Sequence, residues 1–203
     1  KVHKFLLVED YLIYKLSGEF AGDYALYPST YMLDIVNKRW HSGVLEYLGI
    51  GPEKLVTLGE SGRIIGTIRS EVADDLCLSN KTKVISGAMD LTAALIGSGC
   101  IQSGTVTEIT GAAEVFCQTI DKFPSDMDTS MAIQCHAIPN NYLILGWCSS
   151  GGMTLKWLRD TFFAPEKQLA KKQNTGAFSL MDEMAKTVPI GCEGLSFFPY
   201  LAG

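Results

Sequence analysis

No uninterrupted apolar run of about 18 residues occurs in this chain, so nothing in it reads as a membrane-crossing helix. Its opening also lacks the charged-then-apolar pattern of a secretory signal. Basic residues are in deficit, 17 Lys and Arg against 22 Asp and Glu, for a net charge of −5. With no basic cluster to offset that balance, a nucleic-acid or anionic-membrane surface is not expected. Histidine is scarce: residues 3, 41 and 136 share no ligand spacing with each other or with the cysteines. The six cysteines never form Cys-x-x-Cys, and most sit in apolar runs. Reduced thiols in a cytoplasmic protein are therefore expected, in place of a metal site or a disulfide framework. Gly-x-x-x-x-Gly-Lys-Ser/Thr is absent, so the P-loop class of nucleotide binding is not indicated. There is no internal repeat and no low-complexity tract.

What is present is a globular composition, with 47% hydrophobic and 19% charged residues over 203 positions. That suffices for one large domain or two modest ones. The most informative stretch runs from Lys83 to Ala112. Lys83–Ser86 predicts a strand, Gly87-Ala88-Met89 a small-residue turn, and Leu91–Ile96 a compact helix closed by Gly97 and Gly99. Asp90 stands where that helix begins. Two roles are open to it: a cap accepting the first free N–H groups, or a reactive carboxylate at the positive helix end. Thr105–Thr110 and Ala113–Ile120 then predict a hairpin. Strand end, lone carboxylate, helix start and polar hairpin together could line a cleft.

Elsewhere the pattern is mostly scaffold. Phe5–Leu16 predicts a buried helix ending at Gly18, and His41–Leu48 a second stopped by Gly49. Ser61–Ile68 reads as extended, and Ser70 as a cap for a short helix to Leu78. Met131–Ile138 and Tyr142–Trp147 read as strands around an Asn140-Asn141 turn. Trp40 and His136 read as packing or structural residues. Ser149-Ser150-Gly151-Gly152 leads into a helix Met153–Phe163; such a start can attract phosphate, although a tight turn is the commoner meaning. Glu166–Gly176 reads as an exposed helix end or loop, Phe178–Val188 as a helix, and Leu195–Leu201 as a strand.

Four segments in order carry a resemblance. They are LVEDYLIYKLSGEFAGDYALYPSTYMLDIVNKRW, VISGAMDLTAALIGSGCIQSGTVTEITGAAEVF, GWCSSGGMTLKWLRD and GCEGLSFFPYLAG. The second is similar to the central signature of the FGGY carbohydrate kinases: strand, Gly-x-x-Asp, small-residue helix, then a hairpin. The others resemble that family's leucine-rich helix and loop, its glycine–tryptophan helix and its Gly-Leu-x-Phe-x-Pro-Tyr segment. The resemblance covers nearly the whole chain and implies an α/β, actin-like ATPase fold. It also implies the central portion of a longer protein. Residues 1–98 would close an N-terminal sugar-binding lobe and residues 99–203 open a C-terminal nucleotide-binding lobe.

The activity so implied is phosphoryl transfer from ATP to a sugar or polyol hydroxyl, xylulokinase-like as the best single guess. Asp90 would be the general base, with Asp90 and Leu91 at the sugar. Gly111, Ala112 and Gly152 would face the nucleotide phosphates. Mg2+ would accompany ATP, held by phosphates, water and carboxylates and by no dedicated metal ligand set here. A small-molecule substrate, no nucleic acid or membrane partner, a cytoplasmic location and a homodimer complete what the resemblance implies. It would also place Asp23, Thr30 and Asp34 in a structured loop near the cleft, where local turn chemistry is the plainer reading. Two departures stand out: Ala112 where the family usually has Thr, and Leu91 where many members have Asn or Gln. They motivate an alternative, an impaired relative that binds sugar or nucleotide as a regulator.

Overall fold

A computed structural model describes residues 2–125 and 131–201. The chain gathers into two compact units, residues 1–107 with 117–145 and residues 108–116 with 146–203. Helix α1 (Val8–Ser17) opens the first unit, later than the apolar pattern predicts because residues 5–7 stay extended. The Phe5 N–H is committed to the Lys54 carbonyl instead, at 2.8 Å. Asp10 reaches back to the Leu7 N–H at 2.9 Å, which satisfies one of the free donors of the first turn. Gly18 closes the helix at φ 86°, its N–H on the Tyr14 carbonyl. Only glycine adopts that backbone without strain.

Strand β1 (Ala21–Asp23) pairs in parallel with β4 (Thr57–Gly59). Between them lie a small hairpin of β2 (Leu33–Asp34) and β3 (Arg39–Trp40), then helix α2 (Ser42–Leu48). His41 caps α2 by accepting the Val44 N–H, and Gly49 ends it at φ 64°. Trp40 packs edge-on to Tyr27 at 4.8 Å between ring centroids and donates to the Val56 carbonyl. Strand β5 (Ile64–Thr67) pairs antiparallel with β6 (Lys83–Ile85) across a register shift between Ile64 and Gly66. Helix α3 (Ser70–Asp75) joins them; Arg69 occupies its cap position without a side-chain bond, so Ser70 is not the cap, and the helix stops short of Leu78.

Two apolar clusters hold this unit together. Ile13, Ala21, Ile68, Ala73 and Val84 form one, and Tyr27, Leu33, Val56 and Cys135 the other. Each large aliphatic side chain so buried contributes about 1.5–3 kcal/mol. Helix α4 (Asp90–Gly97) follows β6, with Thr92 and Leu95 fully buried. A four-stranded sheet in the order β7 (Val106–Thr110), β8 (Glu114–Ile120), β10 (Tyr142–Cys148), β9 (Ala132–Cys135) completes the strands, with β9 and β10 antiparallel. Asn140 turns between them at φ 66°. His136 is buried: one ring nitrogen takes the Ile138 N–H and the other meets the Cys100 carbonyl at 3.1 Å. Burial holds its imidazole below the usual range, against the pull of the Cys100 carbonyl. It is a structural histidine, one residue beyond the end of β9.

The second unit continues from Gly146 into three helices, α5 (Gly152–Phe162), α6 (Ala164–Gln173) and α7 (Ala177–Ala185). α6 settles the expectation of an exposed helix end or loop over Glu166–Gly176 in favour of helix as far as Gln173. Pro165 sits in its first turn, where a missing N–H costs nothing, and Asn174 ends it in the left-handed conformation. Leu195–Leu201 forms no strand, since among the described residues no strand pairs with it. All six cysteines are free thiols; burial pushes Cys117 and Cys135 up to about 11.

Candidate active site

Strand β6 is followed by Ser86, whose side chain is fully buried and doubly engaged. Its Oγ donates to the Glu60 carbonyl at 3.0 Å and accepts the Arg63 N–H at 3.1 Å. Backbone bonds from Ser86 N–H to Arg63 and from Gly62 N–H to Ser86 pin the same point. The chain then turns through Gly87-Ala88-Met89, and Asp90 is the first residue of α4. Asp90 is exposed, and its Oδ1 accepts the Leu91 N–H at 2.6 Å. Met89 occupies the cap position with no side-chain bond, so Asp90 serves the first turn from one residue inside. The carboxylate is thus both a first-turn acceptor and open to solvent.

Behind this turn lies a buried acid cluster. Asp23 is fully buried; its Oδ1 accepts from the Ala25 N–H (2.8 Å), the Leu26 N–H (3.2 Å) and the Ser61 hydroxyl (3.0 Å). Asp10 is fully buried too and takes the Tyr27 hydroxyl. Burial raises the pKa of both carboxyls, partly opposed by those hydrogen bonds. Half-buried Glu9 is pushed up to about 7, first by burial and then by the Asp23 charge. Asp23 carries turn chemistry, as its type implies, but it also anchors Ser61, 38 residues away. Thr30 and Asp34 are plain turn residues, bonded to the Tyr27 carbonyl and to Asn37. Glu9 and Asp10 went unnoticed in the sequence; an acidic pair in an otherwise apolar helix face was the available signal.

In the second unit the hairpin tip closes through Gly111 N–H on the Ala113 carbonyl, 2.8 Å. The start of α5 docks on that tip: Gly152 N–H donates to the Gly111 carbonyl (2.9 Å) and Met153 N–H to the Ala112 carbonyl (3.3 Å). Gly111, Ala112 and Gly152 are therefore brought together. A methyl group on Gly152 would strike the Gly111 carbonyl oxygen, and one on Gly151 would strike Ala113 and Glu114. The docking also spends first-turn amides that a phosphate would otherwise use. Thr110, the nearest hydroxyl to Ala112 along the chain, bonds Glu108 at 2.8 Å. Glu114 is raised by its hydrogen bond with Glu108. Fully buried Ser150, beside Gly151, has an Oγ without a partner among the described residues, and sequence reading gave it no role. No three His, Cys, Asp or Glu side chains among the described residues form a group that could hold a metal ion. The Mg2+ implied by the resemblance therefore has no protein ligand set among the described residues.

The fold that carries this turn and hairpin is that of the sugar kinases with actin-like ATPase architecture. The chain superposes on the ligand-bound xylulose kinase of Lactobacillus acidophilus with a TM-score of 0.84 at 27% identity, covering 99% of this chain and 39% of that one. Gluconate kinase from Lactobacillus acidophilus gives a TM-score of 0.85 at 27% identity, again over 99% and 39%. Residues 1–97 match the FGGY family of carbohydrate kinases, N-terminal domain. Over 192 residues the chain is 30% identical to the autoinducer-2 kinase of Enterobacter sp. (strain 638) and 31% identical to that of Yersinia enterocolitica. Both alignments cover 93% of this chain and 36% of the relative, so the chain spans little more than a third of their length. Over nearly its whole length the chain is thus similar to carbohydrate kinases, with residues 1–97 matching the N-terminal domain of the FGGY family.

Proposed function

We propose that a protein of its relatives' length containing this chain transfers a phosphoryl group from ATP to a hydroxyl of a sugar or polyol, with Asp90 as general base. The observation that carries this reading is the exposed Asp90 carboxylate at the first residue of α4, on a turn anchored by buried Ser86 just after β6. In the reaction Asp90 accepts the hydroxyl proton while the substrate oxygen attacks the γ-phosphorus and the bond to the ADP oxygen breaks. Leu91 lies against the sugar as an apolar neighbour. Gly111, Ala112 and Gly152 lie at the nucleotide phosphates, where the two glycines allow close backbone approach. In such a protein residues 1–98 belong to the sugar-binding lobe and residues 99–203 to the nucleotide-binding lobe.

The relatives include kinases of xylulose, gluconate and autoinducer-2, so these three head the panel of acceptors, with a xylulose-like ketopentose as first choice. ADP release is measured for each with the full-length protein and with Asp90→Asn. The expected result is strong release with one acceptor, reduced about 10³-fold in the variant, within the range for loss of a general base. Release unchanged by the variant would return Asp90 to a purely structural first-turn acceptor. A second reading has its own observation: Ala112 lacks a hydroxyl, and the amides of Gly152 and Met153 are already engaged. An impaired relative that binds nucleotide as a regulator would show ATP binding with no release for any acceptor.

A further inference from the structure

The turn that presents Asp90 is held firmly on its strand side and loosely on its helix side. Ser86 is fixed by four hydrogen bonds, whereas the cap position Met89 makes no side-chain bond. What touches the backbone between them is Glu9 from α1. Its Oε1 occupies the space where a side chain on Gly87 would begin, and its carboxyl faces the Gly87 N–H. On its other side stands Asp23, whose Oδ1 is filled by two backbone amides and the Ser61 hydroxyl. That leaves the buried Asp23 Oδ2 and Glu9 Oε1, which no other group among the described residues supplies with a hydrogen bond.

We propose that Glu9 is a positioning residue for Asp90: its protonated carboxyl links buried Asp23 to the Gly87 backbone and so sets the strand-to-helix turn from which Asp90 projects. This rests on the kinase reading of Asp90. Two carboxylates sharing a buried site cannot both ionise without strong repulsion, so one proton stays between Glu9 and Asp23. Asp23 already accepts three hydrogen bonds as an anion would, so the proton belongs to Glu9. The groups facing it are Asp23 from β1, Asp10 on its own helix and the Gly87 amide. Both neighbouring side chains favour the protonated form, and its loss falls at about pH 7. Above that pH the Glu9 proton goes to solvent, the carboxylate is repelled by Asp23, and the turn loses its tie.

The test uses the full-length protein as wild type, Glu9→Gln and Glu9→Ala, with two readouts at each pH. One is the dependence of kcat and KM on pH. The other is amide hydrogen exchange over residues 86–91, which needs no turnover. In the wild type, kcat falls about tenfold in all as pH rises through 7 and then levels off, while both KM values change less than about twofold. Exchange over 86–91 rises through the same range. Gln keeps a donor for Asp23 and a carbonyl for Gly87 but cannot ionise. It restores kcat to within about threefold of the wild type, without the alkaline fall and with flat exchange. Ala lowers kcat about tenfold at every pH and leaves exchange high throughout. An alkaline fall that survives in Glu9→Gln overturns the proposal. So does exchange over 86–91 that neither pH nor Glu9→Ala alters. Absence of wild-type turnover with every acceptor would overturn the kinase reading, and the exchange measurements alone would then decide the Glu9 tie.

Discussion

Asp23 shows how much one buried side chain can organise. It is the fully buried last residue of β1, and a single oxygen serves the Ala25 and Leu26 amides and the Ser61 hydroxyl. Asp23→Ala would leave those three donors without an acceptor, at an expected cost of about 3 kcal/mol in unfolding free energy by urea titration. The same substitution has a pH signature. Glu9 is raised to about 7 from its usual 4.5, so the folded chain keeps that proton longer than the unfolded one. Stability therefore declines as pH rises from about 4.5 to about 7 and is level above. Removing the Asp23 charge lowers the Glu9 pKa and flattens that decline, although burial keeps part of it. A slope unchanged between wild type and Asp23→Ala would show that Asp23 does not act on Glu9. The turn chemistry of Asp23 was legible in the sequence, because an Asp in a polar loop can only serve nearby amides. Its link to Glu9 and Ser61 was not, since that depends on which segments the fold brings together.

At the level of elements, helix ends were read well where glycine marks them and poorly where charge masks them. Gly18 and Gly49 stop α1 and α2 because each takes a left-handed backbone that other residues adopt only with strain. The run Glu166–Gly176 read as an exposed helix end or loop because it is mostly polar, yet Ala, Glu, Lys and Gln are strong helix formers and it is helical as far as Gln173 in α6. Leu195–Leu201 shows the reverse: an extended pattern specifies a face, and a strand also needs a partner. The meeting of α5 with the hairpin tip could not be read locally, since it depends on residues about 40 positions apart. It makes Gly152 a sensitive position. Gly152→Ala should push α5 off the Gly111 carbonyl, which a methyl group would strike. In the full-length protein the expected result is a rise of about tenfold in KM for ATP with KM for the sugar unchanged. An unchanged KM for ATP would remove Gly152 from the nucleotide site.

For the whole molecule, the question is how much of a kinase these residues amount to. The first unit contains Asp90 and the bracing that fixes its turn; the second contains Gly111, Ala112 and Gly152. Neither supplies a metal-holding group among the described residues, and first-turn amides of α5 are spent on the hairpin. Relatives that align over 93% of this chain are nearly three times as long, since the alignment covers 36% of them. Phosphoryl transfer depends almost wholly on positioning and on charge stabilisation around the transferring group. A segment that offers one exposed carboxylate but few free donors for the phosphates should fall short by many orders of magnitude. Residues 1–203 alone are therefore expected to release no ADP above the no-enzyme rate with xylulose, gluconate or autoinducer-2, while a full-length protein containing them does. Circular dichroism on the same sample would show whether the isolated chain is folded. Sugar-dependent ADP release by residues 1–203 would mean that the hairpin and the start of α5 bind ATP unaided, with their amides freed on binding.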